Sequence, residues 1–245
     1  MITALRYIYT GYVAIIFVLF LIITAPFFFL FSFLLRDKAL LPILYLCKFI
    51  SYGFGILSGI FYRFHGRKAV DKNKAYMLVA NHRSNLDAPV CVMACWGRVR
   101  YLGKKELLKI PLLGQLLKVT IIIVDRSSSE SRRESILQLS EYLKRGDSIF
   151  IFPEGTRNKT ADKPLTDFKD GAFRIAIELQ VPILPMIYIN TDKLMPNKKL
   201  IMKPGIVNIH YLEPIETTGL TENDIASLRN KVKLIMAEKY LQLTQ

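Results

Sequence analysis

The sequence predicts an α/β fold, a mixed sheet flanked by helices, preceded by a hydrophobic helical hairpin at the N-terminus. Three observations lead there. Charged side chains are missing from Tyr7 to Leu35, and Ala39 to Tyr62 holds only Lys48, so the first 62 residues form an apolar attachment. Beyond them, short apolar runs alternate with segments of helical periodicity, the pattern of strands and helices stacked in layers. Three polar clusters follow directly on apolar runs, at the strand ends where α/β sheets present their sites. The 245 residues leave room for one sizeable core or two small ones. Residues 1–62 are therefore read as an anchoring segment and 63–245 as the α/β domain.

The uncharged run from Tyr7 to Leu35 is 29 residues long, well beyond the roughly 7–15 of a secretory signal. As a helix it would measure about 43 Å, against about 30 Å of bilayer hydrocarbon. Pro26 predicts a kink or break near Thr24–Ala25. The second run contains Gly53, Gly55, Gly59 and Lys48, so it would span poorly if straight. Two spanning helices, or a pair dipping into one leaflet, fit equally. Both put Arg6 and the following domain on one side, with Arg36, Asp37 and Lys38 at the turn. By the positive-inside rule that side is cytoplasmic, so the chain is expected at the inner (cytoplasmic) membrane with its α/β domain facing the cytoplasm.

The net charge of +14 is uneven. Residues 1–62 carry Arg6, Arg36, Lys38 and Lys48 against Asp37, or +3, which leaves +11 on residues 63–245. Such a surplus suits anionic membrane lipid or nucleic acid. Basic residues never interleave with aromatics in a longer run, so lipid is the expected partner and nucleic acid is not. Cys47, Cys91 and Cys95 form no CxxC pair and read as reduced, buried thiols.

Strands are predicted at Phe61–Phe64, Tyr76–Ala80, Val99–Leu102, Thr120–Val124, Ser148–Phe152, Ile183–Ile189 and Ile206–Leu212. Helices are predicted at Ser84–Cys95, Leu112–Lys118, Ser131–Arg145, Ala172–Gln180 and Glu222–Leu241. Gly146 sits where a C′ glycine closes a helix. Thr221, with Asp224 three residues on, marks the start of the last one. Its stripe of Ile225, Leu228, Val232 and Ile235 has helical spacing and reads as core packing.

The first polar cluster is Asn81-His82-Arg83-Ser84-Asn85-Leu86-Asp87. A histidine there can act as a base near neutral pH, and Asp87 could hold its second ring nitrogen and stabilise the imidazolium. On a regular helix the two would lie about 140° apart, so His82 must stand in the turn before the helix and reach back. Alone, the pair equally describes a capping aspartate beside a surface histidine. The second cluster, from Gly103 to Leu107, is followed by Asp125-Arg126. Gly97 to Lys104 is no P-loop: five residues separate the glycines, and Lys105 stands where Ser or Thr would bind magnesium. The third cluster is Phe152-Pro153-Glu154-Gly155-Thr156-Arg157, where glycine permits close backbone approach and arginine offers a planar fork for phosphate. No G-x-S-x-G elbow is present, Cys91 and Cys95 lack basic neighbours, and His65, His82 and His210 lack metal-ligand spacing.

The ordered set resembles the four blocks of the glycerolipid acyltransferase family: Asn81-His82 with Asp87, then Lys104 and Arg126, then Phe152 to Arg157, then Val181-Pro182-Ile183-Leu184-Pro185. The resemblance covers roughly residues 60–215 and is closest to the bacterial 1-acylglycerol-3-phosphate acyltransferases. It implies an α/β catalytic domain that moves a fatty acyl group onto the sn-2 hydroxyl of lysophosphatidic acid without a covalent intermediate. His82 and Asp87 would be the catalytic dyad. Asn81, Lys104, Arg126, Glu154, Gly155, Thr156 and Arg157 would hold the acceptor. Pro182 and Pro185 would serve the acyl donor or the integrity of the site. No cofactor and no metal is implied; acyl-CoA or acyl carrier protein is the co-substrate. One departure is Asn158, where many members carry serine.

The chemistry agrees with this. A thioester is already activated, so deprotonating and positioning an alcohol suffices. Other readings are a family member with another acceptor (glycerol 3-phosphate, another lysophospholipid or a lyso-aminolipid), a non-catalytic basic membrane protein, or a lipase, which the missing elbow disfavours.

Overall fold

The computed structural model describes residues 2–35, 38–103, 114, 119–123, 129–160, 163–197 and 201–245. Two long apolar helices, α1 (Ile2–Leu35) and α2 (Leu40–Leu57), lead into seven strands. The strands are β1 (Ile60–His65), β2 (Met77–Ala80), β3 (Val99–Gly103), β4 (Ile121–Ile123), β5 (Ser148–Ile151), β6 (Ile183–Ile189) and β7 (Gly205–Tyr211). Between and after them lie α3 (Asp87–Ala94), α4 (Ser129–Lys144), α5 (Gly171–Glu178), the single turn α6 (Thr191–Leu194) and α7 (Ile225–Thr244). Each predicted strand is present to within a residue or two. The predicted helix Leu112–Lys118 lies, but for Gly114, outside the described residues.

The sheet order is β1-β7-β6-β2-β5-β3-β4. Neighbours are parallel except β6 and β7, so β1 and β7 run against the other five and the sheet is mixed. The central strands β2 and β6 are buried along their whole length, as expected where helices cover both faces. Successive side chains point to opposite faces. Leu78 and Ala80 of β2 belong to one apolar cluster with residues of α1, α2 and α3, whereas Met77 and Val79 belong to a second with residues of α4, α5 and α7. The stripe on α7 is Ile225, Leu228, Val232 and Met236. Met236 is buried where Ile235 was expected, the step from Val232 being four residues and not three. Gly146, at φ 80, closes α4 as expected, and Thr221 and Asp224 form a capping box ahead of α7.

The hairpin and the sheet share one core. Val13 and Ile16 of α1 and Phe54 of α2 lie in the same apolar cluster as Leu78 and Ile209. The Tyr9 hydroxyl donates to the Ser58 carbonyl, the Tyr12 hydroxyl to the Leu57 carbonyl at 3.2 Å, and the Met202 amide to Thr10 Oγ1 at 2.9 Å. The glycines of α2 are contact points: a Cβ on Gly53 would meet the Phe20 ring at 2.6 Å, and one on Gly55 the Ile60 carbonyl at 2.6 Å. Strand β1 opens at Ile60, inside the 1–62 segment. Of the kink or break expected near Thr24–Ala25, the break is absent, for α1 continues through Pro26. In apolar surroundings an unpaired backbone group costs several kcal/mol, which favours a continued helix over an opened one. The outer face of the hairpin is apolar and exposed, Ile8 at 70% and Phe33 at 79%, and both helices are long and apolar enough to cross a membrane.

At the β1–β7 edge His65 and His210 stack, ring centroids 4.2 Å apart. Burial, then the charges of His65 and Lys239, push His210 down from 6.5 to about 4. The unfolded chain therefore takes up a proton below pH 6.5 that the folded chain refuses until about 4. Stability should fall as pH drops through that window and His210 should cease to contribute to the slope below it. Melting curves between pH 7.5 and 4 check this: His210→Asn should flatten the upper part of the profile, and an unchanged slope would refute it.

Candidate active site

Strands β5, β2 and β6 are adjacent and parallel, so their C-terminal ends open on one edge, where sites of α/β sheets lie. The segments leaving them bring together the first cluster, the third cluster and α6. Asn81 follows β2 fully buried, its side-chain amide donating to the Tyr188 carbonyl at 2.9 Å and accepting from the Tyr188 amide at 2.7 Å. It fixes where the chain leaves the sheet, and its polar atoms are spent on β6.

Helix α3 begins at Asp87, three residues later than predicted, because the Asp87 carboxylate turns back over the preceding loop. Its Oδ2 accepts the Arg83 amide at 2.7 Å, the Ser84 amide at 2.8 Å and His82 Nδ1 at 2.7 Å. Asp87 is fully buried while the His82 side chain is 22% exposed. A carboxylate only accepts, so Nδ1 carries the proton and Nε2 keeps a free lone pair. Phe152 stacks on the imidazole at 4.1 Å, only 13° from parallel. Both backbone groups of His82 are held as well: its N–H donates to Glu154 Oε1 at 2.8 Å, and its carbonyl accepts the Asn158 amide at 2.7 Å. The imidazole is thus fixed in tautomer, plane and backbone position, with one nitrogen free to take a proton.

Glu154 is 2% exposed, and its other oxygen accepts the Thr166 amide at 2.8 Å and hydroxyl at 2.6 Å. It clamps two loops together and offers a ligand little. Gly155 adopts φ 69 in the exposed turn beside it, a conformation that glycine takes without strain, and Thr156 is exposed next to it. Arg157 Nη1 donates to Asn85 Oδ1 at 2.6 Å and to Asn197 Oδ1 at 3.1 Å. Asn158 is buried, its carbonyl oxygen accepting the Thr160 amide at 2.9 Å, so this departure from serine serves the turn. Lys104 and Arg126 lie outside the described residues. Pro182 precedes β6 at the opposite edge of the sheet, its carbonyl accepting the Met77 amide at 3.0 Å. Pro185 is buried within β6 opposite Val79.

Arg83 was given no role by the sequence, yet it anchors the site from beneath. It is 6% exposed. Nε donates to Asp192 Oδ2 at 2.7 Å, Nη1 to the carbonyls of Lys163 and Pro164, and Nη2 to the Thr160 carbonyl at 3.1 Å. The Tyr240 ring of α7 lies 5.4 Å away. Burial opposes the charge, but the Asp192 hydrogen bond and nearby charges outweigh it and hold the pKa above its ordinary value. Arg83→Ala would strand these acceptors, and breaking such a buried pair costs about 3 kcal/mol. A melting temperature lowered by about 6–12 °C is expected, and a shift under about 2 °C would contradict this reading.

With this geometry in view, comparison with known proteins is direct. Residues 62–189, just over half of the chain, match the family model described as Acyltransferase, and the protein belongs to that family of enzymes. It is 29% identical over 189 residues to human 1-acyl-sn-glycerol-3-phosphate acyltransferase beta, covering 76% of this chain and 67% of that one. The enzyme of that name from Saccharomyces cerevisiae is 30% identical, over 65% of this chain and 54% of its own. For the Salmonella typhimurium enzyme the values are 31%, 67% and 66%. The matched regions thus span between about half and two thirds of these relatives. The crystal structure of the 1-acyl-sn-glycerophosphate acyltransferase PlsC from Thermotoga maritima shares the fold, with a TM-score of 0.82 at 24% identity, covering 100% of this chain and 98% of that one. The two proteins therefore share one fold over the whole of this chain.

Proposed function

We propose that the protein transfers a fatty acyl group from acyl-CoA or acyl carrier protein to the sn-2 hydroxyl of lysophosphatidic acid, giving phosphatidic acid. The observation that carries this reading is His82, held at 2.7 Å by a buried Asp87 with its second nitrogen free, in a chain whose relatives are named for that reaction. Nε2 takes the proton of the acceptor hydroxyl as its oxygen attacks the thioester carbonyl carbon. Asp87 steadies the imidazolium that forms. When the tetrahedral intermediate collapses, the C–S bond breaks and the thiolate leaves with the proton from Nε2. Arg157 grips the acceptor phosphate, with Lys104 and Arg126 as further contacts. Gly155 and Thr156 line its approach, while Asn81 and Glu154 hold the loops that carry the dyad. Pro182 and Pro185 serve the sheet that supports the acyl-donor side.

The exposed apolar face of the hairpin and the +11 domain support attachment to an anionic membrane with the site on the cytoplasmic side. The test is a transfer assay with purified protein, labelled acyl-CoA and acyl carrier protein, and vesicles carrying a panel of lyso-acceptors. Preference for lysophosphatidic acid is expected. Faster turnover of a lyso-acceptor lacking a phosphomonoester would overturn the assignment.

A further inference from the structure

Arg83 and Arg157 lie far apart in the sequence, one in the loop after β2 and one in the loop after β5, and are held in opposite ways. Arg83 meets the Asp192 carboxylate and three backbone carbonyls, which consume its fork. Arg157, among the described residues, meets only two neutral side-chain amides, those of Asn85 and Asn197. Amides orient a guanidinium without neutralising it. Both bonds end on Nη1, which has two hydrogens to give. Among the described residues nothing bonds Nε or Nη2, the edge that grips an oxyanion through two parallel bonds.

Asn197 does a second thing. Its Nδ2 donates to the carbonyl of Arg83, the residue next to His82. One amide therefore ties the phosphate-gripping arginine to the loop that carries the base. The two demands fix its orientation: the carbonyl end must face the guanidinium and the NH2 end the Arg83 carbonyl. Aspartate in its place would put an oxygen against that carbonyl, and alanine would serve neither side. Asn85 comes from the same loop, two residues before Asp87. Asn197 follows α6 and lies outside every block that drew notice in the sequence.

We infer that Asn197, with Asn85, is a positioning residue for the acceptor, holding Arg157 so that its Nε–Nη2 edge meets the acceptor phosphate at a fixed distance from His82. This rests on lysophosphatidic acid being the acceptor. Kinetics of the full-length protein, wild type, Asn197→Ala, Arg157→Ala and the double variant, with lysophosphatidic acid in mixed micelles and acyl-CoA, test it. Asn197→Ala should raise KM for lysophosphatidic acid by about tenfold, the equivalent of about 1.4 kcal/mol, with kcat and KM for acyl-CoA changed less than about twofold. In the Arg157→Ala background the same substitution should add less than about twofold, because its effect runs through the guanidinium. Multiplying effects in the double variant, or a fall in kcat without a rise in KM for lysophosphatidic acid, would overturn the inference. If the wild type fails to use lysophosphatidic acid, it is the proposed acceptor that fails. The cycle repeated with the acceptor found then decides Asn197 by the same two criteria.

Discussion

His82→Ala is expected to lower kcat by about 10²–10⁴-fold, the usual contribution of a general base, while the melting curve stays close to that of the wild type. The imidazole is partly exposed, and the loop around it is held by backbone bonds that the substitution keeps: the residue 82 amide to Glu154, its carbonyl to the Asn158 amide, and the Arg83 and Ser84 amides to Asp87. Asp87→Asn should cost less in kcat but should also destabilise the fold. Its Oδ2 serves three donors at once, and an amide that kept its oxygen there would bury its NH2 where Oδ1 has no partner among the described residues. Steady-state kinetics beside thermal scans separate the two effects. A His82→Ala protein keeping more than about a tenth of wild-type kcat would be incompatible with a proton-abstracting role.

Deleting residues 1–59, up to the start of β1, is expected to abolish activity altogether and leave no well-folded domain. The deletion uncovers the cluster that Val13, Ile16 and Phe54 share with β2 and β7. It also removes the hydroxyl of Thr10 that accepts the Met202 amide in the segment before β7. A domain that stayed soluble and turned over bilayer-resident acceptor at the full-length rate would refute this, as it would the proposed attachment. Membrane contact is separated from folding by polar substitutions on the outward face alone. Ile8→Ser with Phe33→Ser should preserve melting behaviour in detergent yet slow transfer to acceptor held in vesicles.

All seven strands could be placed from the sequence because each is an apolar run bounded by turns, and β2 and β6 carry that signal without interruption. The hydrogen-bonded pair of His82 and Asp87 lies in one short loop after a strand, but its spacing alone equally described a capping aspartate, and only the ordered set of blocks singled it out. What escaped were contacts with no period. Arg83 reaches Thr160 and Asp192 across 77 and 109 positions, and Asn197 reaches Arg157 across 40. A basic residue beside a histidine, or an asparagine in a loop, looks the same on paper whether it is solvated or fully engaged. The hairpin was legible as two apolar helices, but not the way it packs on the sheet. Its composition describes the face turned outward and says nothing of Gly53 and Gly55, whose missing side chains let α1 and β1 close on α2.

The passage from α2 to β1 takes only Ser58 and Gly59, and Tyr9 fastens it from α1. For an enzyme attached as proposed, that junction acts as a weld rather than a tether. The catalytic edge cannot swing out into the surrounding water to search a volume. It drifts with the sheet of lipid beneath it and meets acceptors only as they pass in the plane. Its speed should therefore follow how many acceptor molecules occupy each unit of area. Diluting the lipid with inert neighbours at constant bulk concentration should slow it, whereas adding more vesicles of the same composition should not.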